Sequence, residues 1–133
     1  MNAVLLDTSA YSAFRRGLAP AVHVLRTVAE IAVTPVVLGE LLAGFRLGKH
    51  RSENEEELSS FLDSPRVRIV PVDETTADRY AAILAALRRA GTPIPTNDMW
   101  IAASAMQHGL VVLTSDAHFE RVPQVLVRLL PST

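Results

Sequence analysis

Two apolar runs of similar length, Ala3-Val4-Leu5-Leu6 near the start of the chain and Leu110-Val111-Val112-Leu113 near its end, each stop abruptly on polar residues. Neither alternates apolar with polar. Each therefore suits a strand buried on both faces, the kind found in a parallel sheet covered by helices on both sides. Ile31-Ala32-Val33 and Val67–Val72 are further strand candidates, and Val125–Leu130 is a candidate edge strand. Helical patterns of roughly 10 to 20 residues separate these strands, the spacing of right-handed βαβ crossovers. The expected fold class is α/β: one domain over residues 1–133, with a mainly parallel central sheet of about four to five strands flanked by helices.

Local signals place the helices. A short one is expected around Ala10–Arg15 and a second from Pro20 to Ala29. Thr34-Pro35 supplies an N-cap hydroxyl and a proline in the first turn, and the helix it opens carries Glu40. Ser52 with Glu55 reads as a capping box for a helix through Leu62. The acidic run Glu53, Glu55, Glu56, Glu57 lies mostly in its first turn, where the helix dipole favours negative charge. Asp73 caps a long amphipathic helix whose apolar stripe is Ala77, Tyr80, Ala81, Leu84 and Leu87, ending at Gly91. After the connector Thr92-Pro93-Ile94-Pro95-Thr96, a helix from about Asn97 to His108 stops at Gly109, and a short helix over Ala117–Glu120 follows the last buried strand.

Composition removes several chemistries. The chain has no cysteine, which excludes a disulfide framework, a Cys-ligated zinc, an iron–sulfur cluster and thiol catalysis, and fits a reducing, cytoplasmic setting. No apolar run approaches a bilayer span, so no membrane association is expected. Thirteen Lys and Arg against 14 Asp and Glu leave no global basic excess, so any polyanion site must be local. Arg15-Arg16, Arg46 with Lys49-His50-Arg51, and Arg88-Arg89 are the candidate phosphate contacts, although such clusters are ordinarily solvated faces.

Ligands of an open parallel sheet sit beyond the carboxyl ends of its strands. Asp7 follows the first apolar run directly, and Asp116 follows the last one with Thr114-Ser115 between. Two more acids lean inward. On a helical wheel Glu40 lies at the margin of the face formed by Val37, Leu38, Leu41, Leu42 and Phe45, and Asp98 shares a face with Ile101, Ala105 and His108. Each acid alone has a structural explanation: Asp7 a turn residue, Asp98 a complement to the helix dipole, Glu40 a partner for Arg46, Asp116 a helix cap. Together they do not. Carboxylates gathered without a counter-charge raise one another's pKa and oppose folding unless a cation sits among them. All-oxygen donors suit Mg²⁺ or Mn²⁺, and His23, His50, His108 and His118 lack the spacing of zinc ligands. Thr114 or Ser115 would add a hydroxyl. Such a site activates water and neutralises phosphodiester oxygens, as hydrolysis of a nucleic-acid backbone requires.

Four ordered blocks carry a resemblance over almost the whole chain: Leu5-Leu6-Asp7-Thr8-Ser9, Pro35-Val36-Val37-Leu38-Gly39-Glu40-Leu41, Asn97-Asp98-Met99-Trp100-Ile101-Ala102-Ala103, and Leu113-Thr114-Ser115-Asp116 with Phe119. The chain resembles the PIN-domain ribonucleases, specifically VapC-type toxins of type II toxin–antitoxin pairs. The resemblance places Asp7, Glu40, Asp98 and Asp116 in the acidic metal-binding and catalytic cluster and Thr114 beside it, with Ser9 and Asn97 as supporting polar positions. It implies an Mg²⁺- or Mn²⁺-dependent endoribonuclease, an RNA substrate, a homodimer, and inhibition by a VapB-type antitoxin. Metal-assisted attack by water would leave 5′-phosphate and 3′-hydroxyl ends. A metal-free route using two histidines as acid and base finds no paired histidines in the sequence.

Competing classes fit less well. A haloacid-dehalogenase-type phosphatase needs a second aspartate two positions after the first, where Ser9 stands, and a buried catalytic lysine, whereas Lys49 lies in a loop-like stretch. A response-regulator receiver fails on the same lysine and on a missing acidic pair. A non-catalytic PIN-like module that binds RNA or protein is the alternative. Trp100 suits base stacking, a core contact or a dimer contact equally.

Overall fold

The computed structural model describes residues 2–131. Five strands, β1 (Ala3–Leu6), β2 (Glu30–Val33), β3 (Val67–Ile69), β4 (Val111–Thr114) and β5 (Leu126–Leu129), form one sheet in the order β3-β2-β1-β4-β5. Every pairing is parallel, with Val4 registered against both Ile31 and Val111 and Leu6 against Leu113. The expected strand number and orientation are borne out. The two apolar runs at opposite ends of the sequence are neighbours at the centre, where Val4, Leu5, Leu6, Val112 and Leu113 are fully buried. At the edge the same residue type meets water: Leu126 of β5 is 73% exposed.

Six helices cover the sheet: α1 (Thr8–Arg15), α2 (Ala19–Thr27), α3 (Pro35–Leu47), α4 (Arg51–Leu62), α5 (Glu74–Ala90) and α6 (Thr96–His108), with a short 3-10 turn at Ala117–Arg121. The Thr34 hydroxyl accepts from the Val37 amide at 3.2 Å, and Asp73 forms a reciprocal capping box with Thr76. Gly91 and Gly109 close α5 and α6 in the left-handed conformation, at φ 69° and 64°, which a side chain would strain.

Three local expectations are corrected. Ser52 caps nothing: α4 begins at Arg51 after His50, so Ser52 already lies in the first turn, and the His50 carbonyl accepts from Asn54. The buried stripe of α5 is Thr76, Ile83 and Leu87, with Tyr80 and Leu84 half-buried, while Ala77 and Ala81 face solvent; α6 packs along this rotated face and selects the larger side chains. Strand β3 ends at Ile69 rather than Val72, because Pro71 has no amide to donate to the ladder.

The junctions matter most for function. Helix α1 starts at Thr8 rather than Ala10, so no loop separates it from β1. The Asp7 carbonyl accepts from the Ala10 and Tyr11 amides, and the Asp7 amide donates to the Leu113 carbonyl at 3.0 Å. From β1 the chain moves to β2 and β3 on one side of the sheet, while β4 and β5 lie on the other. The β1/β4 boundary is therefore the topological switch point, where the loops diverge and leave a crevice.

Candidate active site

Asp7 and Thr114 stand at that boundary, one just after β1 and the other at the end of β4. Asp7 is 5% exposed, and a carboxylate buried this far requires hydrogen bonds. Two hydroxyls supply them: Thr114 Oγ1 and Ser9 Oγ each donate to Asp7 Oδ2 at 2.7 Å. These hydroxyls accept in turn from the backbone of the loop after β4, Thr114 from the Asp116 amide at 2.9 Å and Ser9 from the Ser115 amide at 3.0 Å. The β1 and β4 ends are stitched together, and among the described residues both side-chain hydrogen bonds to Asp7 fall on Oδ2, leaving Oδ1 for another partner.

Asp98 arrives from the first turn of α6, where the helix dipole favours a negative charge. Asp116 arrives from the loop after β4, and its Oδ1 accepts from the His118 amide at 2.9 Å. That short turn folds the His118 ring back over the carboxylates, with Nδ1 3.3 Å from Asp98 Oδ2 and 3.0 Å from Asp116 Oδ1. One donor atom from each of Asp98, Asp116 and His118 lies within 4.8 Å of the others, and neither Asp7 nor Glu40 joins that group. The Asp98 side chain is 14% exposed, against 36% and 39% for Asp116 and His118, so the group opens toward solvent on one side.

Glu40 occupies a separate position. Its Oε1 accepts from Thr8 Oγ1 at 2.7 Å and its Oε2 from Asn97 Nδ2 at 3.4 Å, which joins α3 to the starts of α1 and α6. Its partners are these polar groups rather than Arg46. Thus Asp7, Ser9 and Thr114 form one unit, Asp98, Asp116 and His118 a second, and Glu40, Asn97 and Thr8 a third, contributed by the starts of α1 and α6, the end of β4 with the turn after it, and α3.

Charge density registers on one member. Burial pushes the Asp98 carboxyl up to about 6, the negative charges of Asp7 and Asp116 push in the same direction, and the His118 hydrogen bond and charge oppose them. Asp73 shifts the opposite way: the Thr76 amide and Gln107 hold its carboxyl below the usual range. The upward shift reflects first the burial of Asp98 and then the charges of Asp7 and Asp116, a combination that recurs at functional sites.

Sequence reasoning missed His118. A search for paired histidines at helical spacing passes over it, whereas an aspartate cap two residues before a histidine in a tight turn brings the two side chains together. It also missed Thr8 as the partner of Glu40. Trp100 stacks on Tyr80 with ring centroids 4.2 Å apart and planes 18° from parallel, so it joins α6 to α5. Among the basic clusters, Arg15 pairs with Glu57 and Arg51 with Glu55, while Arg16, Arg46, Lys49, Arg88 and Arg89 are exposed. A surface hollow of ≈ 560 Å³ lies between α1 and α4, lined by Phe14, Arg15, Glu57 and Phe61, and it is not bordered by Asp7, Glu40, Asp98 or Asp116.

Comparison with known proteins follows the same outline. The PIN domain family profile matches residues 4–125. Ribonuclease VapC4 of Mycobacterium tuberculosis is 34% identical over 98 residues, covering 74% of this chain and 75% of that protein. Ribonuclease VapC11 of the same species is 34% identical over 130 residues, 92% of each chain. Among solved structures, VapBC-5, a member of the VapBC toxin–antitoxin family from Mycobacterium tuberculosis, superposes with a TM-score of 0.78 at 29% identity, covering 98% of this chain and 100% of that one. VapBC2 from Rickettsia felis, bound to a promoter DNA fragment, reaches 0.86 over 96% of this chain and 98% of that one; at 24% identity that likeness speaks for the fold alone.

Proposed function

This chain belongs to the PIN domain family, and from that membership we propose that it is an endoribonuclease toxin of a VapBC-type pair, inhibited by a cognate VapB-type antitoxin. Relatives named as VapC ribonucleases match over most of its length, and a relative of similar fold belongs to a VapBC toxin–antitoxin family. The observation that carries the chemistry is geometric: Asp98 and Asp116 offer oxygens within 4.8 Å of one another at the β1/β4 switch point, beside the buried Asp7.

The residues present fit a hard divalent cation. Two carboxylates offer oxygens within 4.8 Å of one another, Asp7 adds a third negative charge nearby, and no basic side chain other than His118 contacts Asp98 or Asp116 among the described residues. We assign Asp98 and Asp116 as direct holders of Mg²⁺ or Mn²⁺, Asp7 as a holder through its Oδ1, and Glu40 as an outer carboxylate acting on bound water. When bound, such a cation lowers the pKa of water and neutralises the oxygens of a phosphodiester, giving in-line hydrolysis with 5′-phosphate and 3′-hydroxyl products. The protein's own residues set the geometry. Thr114 and Ser9 fix the Asp7 carboxylate by occupying Oδ2, and Thr8 and Asn97 fix Glu40 by taking one carboxylate oxygen each. The exposed Arg16, Arg46 and Lys49 are candidate contacts for flanking RNA phosphates.

Two further parts of the reading are a homodimer and a cytoplasmic setting; among the described residues no helix is long and apolar enough to cross a membrane. The test is direct. Purified, antitoxin-free protein is incubated with total RNA in Mg²⁺, in Mn²⁺ and in EDTA, beside Asp7→Asn. Discrete fragments that need both the cation and Asp7, and whose 5′ ends ligate without prior phosphorylation, are expected. RNA left intact under every condition would identify a binding module instead.

A further inference from the structure

We propose that His118 is itself a ligand of the divalent cation, through Nδ1, so that the site holds its ion with a ring nitrogen as well as carboxylate oxygens rather than with oxygens alone. The proposal rests on the cation-dependent reading above and adds a residue that the four acidic positions do not include.

The geometry of one ring nitrogen carries it. Nδ1 of His118 approaches Asp116 Oδ1 to 3.0 Å and Asp98 Oδ2 to 3.3 Å. A ring nitrogen bears at most one proton, so one N–H cannot serve both carboxylates well. Only the longer approach, to Asp98, has the direction of a hydrogen bond; the shorter one, to Asp116, does not. The 3.0 Å approach to Asp116 is thus left without a proton of its own; when a cation binds, Nδ1 gives up its proton and its lone pair turns to the ion that both carboxylates also face. Neighbouring ligands on an octahedral ion with bonds of about 2.1 Å are roughly 3.0 Å apart, close to both spacings here. One ligand atom from each of the three residues lies within 4.8 Å of the others, so all three can reach one ion.

The turn that presents the ring is anchored on both sides. Asp116 Oδ1 accepts from the His118 amide, and the next residue, Phe119, is fully buried in the core. The Asp116 carboxylate that would bind the ion is thus also the cap that folds His118 toward it. This differs from a flexible surface histidine that drifts near an acid, as His50 does with Glu53 at 3.9 Å with both side chains largely exposed.

Ligand chemistry then sets the preferred ion. Imidazole nitrogen adds affinity for first-row transition ions, whereas carboxylate and water suit Mg²⁺. The site should favour Mn²⁺ over Mg²⁺ more strongly than four carboxylates would.

The experiment is pulsed electron paramagnetic resonance of Mn²⁺ bound to the full chain, free of antitoxin, together with Mn²⁺ and Mg²⁺ affinities by titration calorimetry. A directly bound ¹⁴N coupling is expected in the wild type, changing to ¹⁵N in histidine-labelled protein and disappearing in His118→Gln. That variant should also bind Mn²⁺ about tenfold more weakly while its Mg²⁺ affinity changes less. Mn²⁺ that binds with no nitrogen coupling overturns the assignment of His118 and leaves the cation-dependent nuclease standing. No Mn²⁺ binding by the wild type overturns both.

Discussion

Asp98 serves two opposing demands. In the folded chain its carboxyl is pushed up to about 6, by burial first and then by Asp7 and Asp116, whereas an unfolded aspartate titrates near ~3.9. Between those values the folded state keeps a proton that the unfolded state has released. Stability therefore falls as pH rises through that window, and the penalty is fully present at pH 7. In EDTA, calorimetry should find Asp98→Asn melting above the wild type at pH 7, with the difference shrinking toward pH 4. The same variant should lose both cleavage and the stabilisation that Mn²⁺ or Mg²⁺ confers on the wild type. A lower melting temperature for the variant in EDTA at pH 7 would show that the charge is already balanced. Thr114 has the complementary role. Its buried hydroxyl bonds a charged group, so Thr114→Val should lose about 1.5–3 kcal/mol in urea unfolding, and Thr114→Ser should recover most of that and of cleavage; equal stability for the Val variant would show that Asp7 is satisfied without it. At this scale the sequence was informative where a side chain's direction follows from its place in an element. Asp98 turns inward because α6 has a wheel. His118 escaped notice because its direction is set by a turn of five residues and by what the turn's cap contacts.

The 3-10 turn after β4 is the element most tightly coupled to the site. Phe119 is among the largest fully buried side chains, and it follows His118 directly. Phe119→Ala should destabilise the fold by about 3–5 kcal/mol, and under conditions where the variant stays folded its Mn²⁺ affinity should fall as well, because the anchor of the Asp116–His118 turn is gone. Unfolding in urea and calorimetric titration measure the two effects separately; Mn²⁺ affinity unchanged in the folded variant would show that the Asx cap alone holds the turn. Helix ends were legible wherever a cap or a glycine marks them: Thr34, Asp73, Gly91 and Gly109 all stand where the sequence placed them. They were misread where packing competes with local preference. Ser52 has the right chemistry for a cap and lies inside the helix, and the α5 stripe rotated to bury Ile83 against α6 rather than the small Ala77 and Ala81.

The whole molecule is organised around a central strand pair that sequence separation would keep apart. Leu5 is fully buried at the sheet centre, so Leu5→Ala should lose about 2–5 kcal/mol in chemical denaturation. Leu126 lies on the exposed edge, and Leu126→Ala should change the stability of an isolated chain by no more than about 0.5 kcal/mol. A large loss at Leu126 would instead mean that a second copy covers β5 in solution. The near-neutral composition also reads differently at this scale. On the proposed reading the four acids act on a bound cation, and the other ten acids are outnumbered by the 13 Lys and Arg, so a polyanion would meet a modest positive balance on a protein whose formal charge is −1. By itself the sequence determined the α/β class, the strands that are buried and the inward lean of the four acids, because periodicity and strand ends are properties of neighbouring residues. Only the tertiary structure decided that β1 and β4 pair, that Ser9 and Thr114 share one oxygen of Asp7, that Glu40 stands apart with Thr8 and Asn97, and that His118 joins Asp98 and Asp116. Those contacts link residues from 2 to 107 positions apart. The two-residue contacts Asp7–Ser9 and Asp116–His118 belong to local turns, but no local pattern encodes the long-range ones, since they exist only once the sheet brings the two ends of the chain to the same crevice.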